Sequence, residues 1–426
     1  MILNRKVAPP IKDAIEFDLN LKPYQKIVLK NGVPVYYFNG GVEDVMMIDL
    51  VFYAGNDNEE QNLVANATNF LLKNGTSSKT AYRINEHFEY YGAYLNRACH
   101  NETANVSLHC LTRHLADLLP VVREIITDSI FPESELEIYK QNSKQQLSVN
   151  LKKCDFIANR LIDEYLFGID HPYGKYSSAA AYDALHIHQL KEYYKKYYQN
   201  GKLIIFAAGK LHPDFENLVN KQFGDLRVNE ENGFKRHIPM PAAQKSYRIE
   251  NDSQTVQGAI RLARPFPNRH HPDYRKAVVL NTLFGGFFGS RLMSNIREEK
   301  GYTYGIHSFI PNHIQETAWV ISTEAGKDVC EATVTEVYKE MELLKTELVD
   351  EEELLLVKNY MIGSNLGDLD GPFHIINRWK NLILHGMDDN YFREAINTVK
   401  TVTSQELMEL ANKYFVKDDF YELIVY

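Results

Sequence analysis

Cysteine is scarce in this sequence, and long apolar runs are missing from it. The four cysteines, Cys99, Cys110, Cys154 and Cys330, lie far apart without a CxxC pair, which argues against a zinc ribbon and against a dense disulfide framework. No stretch approaches the roughly 18 consecutive apolar residues of a membrane span, and the first residues lack the apolar core of a signal peptide. We therefore expect a cytoplasmic protein without a membrane partner.

An excess of positive charge is also missing. The 426 residues contain 47 Lys plus Arg against 56 Asp plus Glu, which gives a net charge of −9. This balance argues against nucleic acid as the main partner. The overall composition is typical of folded domains, with 44% hydrophobic and 24% charged residues. The length allows two domains with substantial cores.

The order of predicted elements occurs twice. The first copy is a strand, two helices and two strands, at Val45–Tyr53, Leu63–Lys73, Thr80–Tyr91, Tyr94–Ala98 and Thr103–Leu111. The second copy has the same order, at Gln254–Ala263, Arg275–Phe284, Ser290–Lys300, Tyr302–Phe309 and Glu316–Thr323. An internal duplication is the simplest account of this pattern.

A polar, proline-containing stretch at 227–245 predicts a linker between the copies. The sequence therefore predicts an N-terminal half at 1–226 and a C-terminal half at 246–426. Strands followed by runs of helices indicate the α+β class, in which each half is a mostly antiparallel sheet with helices packed on one face. Within the second half, Asn365–His374 is predicted to be a loop.

One stretch, Phe284–Ser308, places two chemically useful side chains close together. A glycine-rich turn leads into a short helix that Ser290 is expected to cap, and Gly301 ends this helix before a strand. Arg297 then lies on the last helical turn and Tyr304 on the emerging strand. The N–H groups of an arginine and the hydroxyl of a tyrosine can donate hydrogen bonds to a peptide carbonyl or to the oxyanion formed from it. The alternative is a helix-end arginine that satisfies free carbonyls, beside an ordinary tyrosine.

Two similar halves, a linker and the segment SRLMSNIREEKGYTY before a strand resemble the insulinase-like zinc peptidases, the group that includes the mitochondrial processing peptidases. The resemblance is strong in this segment and weak over most of the remaining chain. It implies that the first half carries the zinc motif His-x-x-Glu-His on the helix after the first core strand, with a more distal glutamate as third ligand.

Here the corresponding helix reads NLVANATNFLLKNGT, and the three motif positions fall on Asn66, Asn69 and Phe70. Asparagine is a poor zinc ligand and no general base, and phenylalanine cannot bind zinc at all. No acidic residue lies between Ile138 and Cys154, where the distal ligand is expected. We therefore expect this chain to bind no cofactor.

Arg297 and Tyr304, in contrast, are present at the spacing of the family. In two-chain members one subunit carries zinc, and its partner carries the Arg/Tyr pair. The resemblance thus implies a zinc-free subunit of a heterodimeric metallopeptidase, whose partner binds zinc and whose substrate is a peptide or unfolded polypeptide. A catalytically inert scaffold or peptide-binding protein of the same fold, including a homodimer, is the alternative. A standalone zinc peptidase would need a metal site that the sequence does not reveal.

The segment Tyr193–Tyr198, YYKKYY, concentrates four tyrosines. Aromatic side chains at this density can stack on a peptide or on nucleic acid. The acidic composition favours a simpler interpretation, in which the rings cover a helix and their hydroxyls stay in water.

Overall fold

The computed structural model describes residues 12–229, 233–251 and 254–426. Its first sheet has six strands, all before residue 210: β1 (Gln25–Val28), β2 (Pro34–Asn39), β3 (Val45–Phe52), β4 (Tyr94–Cys99), β5 (Ala104–Leu111) and β6 (Leu203–Gly209). Their order across the sheet is β1-β2-β6-β3-β5-β4. Only the β2–β6 pair is parallel; the other four pairs are antiparallel.

The second sheet has five strands, all after residue 245: β7 (Ser246–Ile249), β8 (Gln257–Phe266), β9 (Thr303–Phe309), β10 (Thr317–Gly326) and β11 (Tyr421–Val425). Their order is β7-β11-β8-β10-β9, with a single parallel pair, β7–β11. The two sheets therefore repeat one topology, in which β3 and β8 occupy equivalent central positions. The predicted α+β class with two similar, mostly antiparallel halves is confirmed.

Helices fill the intervals between the strands of both sheets. Those before residue 224 are α1 (Val64–Leu71), α2 (Ala81–Tyr90), α3 (Leu115–Asp128), α4 (Glu133–Asn150), α5 (Cys154–Phe167), α6 (Ala179–Asp183), α7 (Ile187–Tyr194) and α8 (Phe215–Phe223). Those after it are α9 (Tyr274–Asn281), α10 (Cys330–Thr346), α11 (Glu351–Gly367), α12 (Pro372–Leu384), α13 (Asp389–Thr401) and α14 (Ser404–Tyr414). Three π-helical segments, a rare conformation, occur at Lys195–Gln199, Thr282–Gly286 and Met293–Glu299. No helix in the described ranges is long and apolar enough to cross a membrane.

The central strand β3 is buried on both faces, which explains its nearly continuous apolar sequence, VMMIDLVF. Met46, Ile48, Leu50 and Phe52 pack against helices of the first half. The alternate residues Met47 and Val51 face the other way and belong to a core that includes α12 of the second half. The helices of the first half therefore lie on one face of its sheet, and a helix from the other half covers the opposite face.

The same exchange occurs at β8. Ile260 and Leu262 pack with the helices of the second half, whereas Ala259 and Ala263 pack against α5 of the first half. Each half thus contributes one helix to the sheet of the other. This exchange joins the two halves through buried apolar surface, a contribution that the sequence pattern does not reveal.

The tyrosine segment differs from its prediction. The rings of Tyr193, Tyr194, Tyr197 and Tyr198 are all buried. The hydroxyls of the first three donate to backbone carbonyls, for example Tyr193 to Gly55 at 2.9 Å. The π-helical segment that begins at Lys195 keeps both tyrosine pairs on the core side. These tyrosines are therefore structural and do not keep their hydroxyls in water.

Candidate functional site

The glycine-rich turn allows a close approach between a helix and a strand. It forms the π-helical segment Thr282–Gly286 and packs against β9. A Cβ atom on Gly285 would lie 2.7 Å from Cβ of Ser308 on that strand. Only glycine fits such a contact without displacing the strand.

The following helix begins at Arg291 and becomes π-helical over Met293–Glu299. Its predicted apolar face is confirmed, because Leu292, Met293 and Ile296 are buried. The expected cap at Ser290 is wrong: the hydroxyl is buried without a hydrogen-bond partner in the described structure. Gly301 ends the helix, as predicted, with φ at +67°. This left-handed conformation favours glycine.

A β-bulge then presents Tyr304. Along β9, Thr303 pairs with Ala325 and Ile306 with Thr323, so Tyr304 and Gly305 together oppose a single residue of β10. The hydroxyl of Thr303 donates to the carbonyl of Glu324 at 2.6 Å and accepts from the N–H of Gly305 at 3.1 Å. These bonds fix the shape of the bulge.

Arg297 is held at the base of this bulge. Its Nε donates to the backbone carbonyl of Tyr304 at 3.1 Å. Its guanidinium carbon lies 4.7 Å from the ring centre of Phe288, and Nη1 is 3.5 Å from a carboxylate oxygen of Glu298. The helix, the bulge and the aromatic ring therefore orient the guanidinium. Its Nη2 has no hydrogen-bond partner among the described residues and remains available to an external carbonyl.

Tyr304 points into solvent. Its side chain is 92% exposed, and its hydroxyl has no hydrogen-bond partner among the residues the structure describes. Phe288, which sequence reasoning missed, is 63% exposed beside Arg297. The only hint in the sequence was a pair of phenylalanines inside a glycine-rich turn. Together the three side chains form an exposed surface with one apolar ring, one cationic fork and one hydroxyl.

The positions that the resemblance assigns to the zinc motif lie on α1 in the first half. Asn66 is exposed and accepts a 2.9 Å hydrogen bond from the hydroxyl of Tyr139 on α4. Asn69 is buried and donates to the carbonyl of Asn105 at 3.3 Å and to the hydroxyl of Tyr198 at 3.1 Å. Both amides therefore serve as packing groups.

Phe70 lies between an aromatic ring and a cation. Its ring centre is 5.0 Å from that of Tyr139 and 5.1 Å from the guanidinium carbon of Arg97. Burial lowers the pKa of Arg97 to about 10, so the side chain is still protonated at neutral pH. A fixed positive charge at this place opposes a second cation.

The residues at these positions therefore do not fit the zinc of the insulinase-like peptidases. The motif positions offer two amides and a phenyl ring, and Arg97 adds a positive charge. No cluster of three histidine, cysteine or carboxylate side chains able to hold a metal occurs within the described ranges.

The structure does not bring the two sets of candidate residues together. Arg297 and Tyr304 belong to the layer of the second sheet, and Asn66, Asn69 and Phe70 to that of the first. No hydrogen bond, ion pair or ring contact joins the two sets in the described part of the chain. Any chemistry at Arg297 and Tyr304 is therefore independent of α1 within one chain.

Comparison with known proteins shows what the chain is similar to. The family model described as the Peptidase M16 inactive domain matches residues 185–361, which include Arg297 and Tyr304. This segment is similar to the M16, or insulinase-like, peptidases. An uncharacterized zinc protease of Bacillus subtilis, YmxG, is 24% identical over 92% of this chain and 96% of the relative. The resemblance found in the sequence is thus confirmed.

Two further comparisons concern M16 proteins without established peptidase activity. A protein of Helicobacter pylori named a non-peptidase homolog is 21% identical over 92% of this chain and 91% of its own length. The crystal structure of a peptidase M16 inactive domain from Pseudomonas fluorescens superimposes with a TM-score of 0.81, at 23% identity, over 94% of this chain and 97% of that one. The structural match establishes the M16 fold.

Proposed function

We propose that this chain is the zinc-free subunit of a two-chain M16 metallopeptidase. The observation that carries the proposal is the bulge at Tyr304, which holds an unpartnered hydroxyl in solvent beside the oriented guanidinium of Arg297. The first half, in contrast, has two amides and a phenyl ring at its motif positions, with the cation of Arg97 beside them. The chain therefore presents groups that bind a substrate without those that bind the metal.

In this function Arg297 donates from Nη2 to a backbone carbonyl of the substrate. Tyr304 donates its hydroxyl to the oxygen of the carbonyl under attack, which becomes an oxyanion in the tetrahedral intermediate. Phe288 provides an apolar contact for a neighbouring substrate side chain. The substrate is a peptide or an unfolded polypeptide, because an extended backbone exposes its carbonyls to such donors.

The test is reconstitution with a partner. A second M16 chain from the same source, with an intact His-x-x-Glu-His motif, is co-expressed with this chain, and the two are co-purified. We expect a stable heterodimer that cleaves unfolded polypeptides, loses the activity to a chelator and regains it with zinc. The chain alone should show neither activity nor stoichiometric zinc. Full activity of the partner alone would refute the proposal.

A catalytically inert scaffold is the second candidate. It is favoured by the bond from Arg297 Nε to the carbonyl of Tyr304, which is a sufficient structural reason for an arginine at this turn. The Helicobacter pylori relative described as a non-peptidase homolog agrees with this alternative. A scaffold predicts that Arg297→Ala leaves dimerisation intact and that no pairing, including a homodimer, cleaves polypeptide. The metallopeptidase predicts a substantial loss of cleavage in the same variant.

A further inference from the structure

A cavity of about 400 Å³ lies inside the helical layer of the second half, away from the exposed side chains of Arg297 and Tyr304. Its walls come from α9, α11, α12 and α13, from the glycine-rich turn and from the end of β9. Its volume falls in the ordinary range of small-molecule sites.

The polar side of the cavity is cationic. Arg269, Arg275 and Arg378 line it, and none of its lining residues is an aspartate or a glutamate. This composition stands out in a chain whose net charge is −9. Three guanidinium groups around one cavity repel each other unless an anion lies between them.

Two of these arginines have carboxylate partners on the protein surface. Arg275 pairs with Glu394 at 2.9 Å and Arg378 with Asp368 at 2.8 Å, and both acidic side chains are more than half exposed. Their opposing charges are therefore weakened by water.

Arg269 has no carboxylate partner among the residues that the structure describes. Its Nη1 donates to the neutral amide oxygen of Asn381 at 2.5 Å, and its Nε is buried without a hydrogen-bond partner. Burial lowers the pKa of Arg378; Asp368 opposes this change, and Arg269 adds to it. Arg269 is thus a cation with no carboxylate partner in the described ranges, and its charge helps to lower the pKa of the neighbouring Arg378.

Apolar side chains form much of the remaining lining. They are Met361 on α11, Leu382 on α12 and Phe392, Ile396 and Val399 on α13. A ligand that matches this lining has an anionic head and a hydrocarbon part. We propose that this cavity binds a small amphiphilic anion, with a carboxylate or phosphate monoester head on Arg269 and an apolar chain against α11 and α13.

The test is calorimetric titration of the full chain with four ligands of one chain length: octanoate, octyl phosphate, octanol and octylamine. The two anions should bind at one site per chain and raise the melting temperature. Octanol should bind at least tenfold more weakly, and octylamine should not bind. Equal binding of octylamine, or no binding of either anion, would overturn the proposal.

Substitutions of cavity residues test whether the anion binds in this cavity. Arg269→Gln removes the charge and should weaken octanoate binding at least tenfold, whereas Arg269→Lys should retain more of it. Arg393→Gln is the matched control, since Arg393 lies on α13 outside the cavity with its side chain 56% exposed. Unchanged binding in Arg269→Gln would refute the assignment. If Arg269→Gln does not fold, Ile396→Phe gives an independent test, because filling the apolar end should weaken octanoate more than butyrate.

Discussion

The two halves of the molecule share one frame and differ in the charges built into it. Asp49 on β3 lies opposite Ser107 on β5, and Arg261 on β8 lies opposite Ser322 on β10, so the two residues occupy equivalent positions. Both are buried, and each pairs with a helix from the other half. Asp49 meets Lys380 of α12, whereas Arg261 meets Asp155 of α5.

The reversed signs have a physical consequence. In the first half the strand carries the acid and the incoming helix the base; in the second half the roles are exchanged. A helix bound to the wrong sheet would place two like charges together in a buried site, at a high cost in free energy. The buried pairs therefore favour the correct exchange of α5 and α12, a role that apolar packing alone does not perform.

The helix–turn–strand units of the two halves differ in a second way. Gly92 and Gly301 end the corresponding helices with φ of +60° and +67°. After Gly92, β4 pairs with β5 in an unbroken register. After Gly301, the bulge in β9 interrupts the ladder and exposes Tyr304. One extra residue in a strand thus distinguishes the two turns.

The largest expected effect concerns this second difference. In the proposed heterodimer, Tyr304→Phe should lower kcat by about 10²–10³ with little change in KM, because the hydroxyl proposed to donate to the oxyanion is lost. The matched variant in the first half is Tyr94→Phe, at an exposed tyrosine near the start of β4. Steady-state kinetics on both variants checks the prediction. Equal turnover in the two would remove the functional distinction between the turns.

The second prediction concerns the buried ion pair between Asp155 and Arg261. Asp155→Ala removes the carboxylate that pairs directly with the buried guanidinium of Arg261 and should lower the free energy of unfolding by about 3 kcal/mol. Asp389→Ala breaks an exposed pair with Arg393 and should change it by less than about 0.5 kcal/mol. Urea unfolding of both variants measures the difference. Similar losses would show that burial of the pair does not matter.

The buried His385 predicts a pH response of the second half. Burial, with a smaller contribution from Arg269, lowers the pKa of His385 from 6.5 to about 4. The unfolded chain then binds a proton before the folded chain does, so stability is lost as the pH falls from about 6.5 to 4. The loss can reach about 3 kcal/mol from this group. His385→Asn should reduce this acid-side loss in thermal unfolding between pH 7 and pH 4; an unchanged pH profile would contradict the assignment.

A variant of Asn69 tests whether this residue, which occupies a position assigned to the zinc motif, has only a structural role. Asn69→Ala removes hydrogen bonds to Asn105 and Tyr198 and should cost about 1–3 kcal/mol of stability. Turnover of the assembled heterodimer should stay within about twofold of the unmodified enzyme, since this residue performs no chemistry in the proposal. A large loss of kcat at full occupancy of the folded state would show that α1 still participates.

The smallest effect concerns the bulge. Thr303→Val keeps the shape of the side chain but removes the hydroxyl that bonds to Gly305 and Glu324. We expect about a tenfold loss of kcat because Tyr304 is less well positioned. Thr335→Val, on the exposed face of α10, is the control. No change in kcat for Thr303→Val would mean that the backbone alone sets the bulge.

Much of the fold could be predicted because its signals are local. Strand β3 and helices α10, α11 and α14 follow apolar periodicity, and Gly92 and Gly301 mark helix ends through their conformational freedom. Helix α12 was missed because it begins at Pro372, inside the stretch Asn365–His374 that was predicted to be a loop. Proline is well tolerated in the first turn of a helix, and Ile375, Ile376, Trp379 and Leu382 then provide a helical apolar face.

The sequence by itself determined the duplication, the α+β class, the resemblance to the insulinase-like peptidases and the absence of zinc-ligand types at Asn66, Asn69 and Phe70, because each of these depends on residue type and spacing. Only the tertiary structure decided the exchange of α5 and α12 and the burial of the four tyrosines. It also decided the exposure of Tyr304 and the uncompensated charge of Arg269. These features arise where segments distant in sequence meet, and burial, register and the sign of a neighbouring charge exist only after that contact is made.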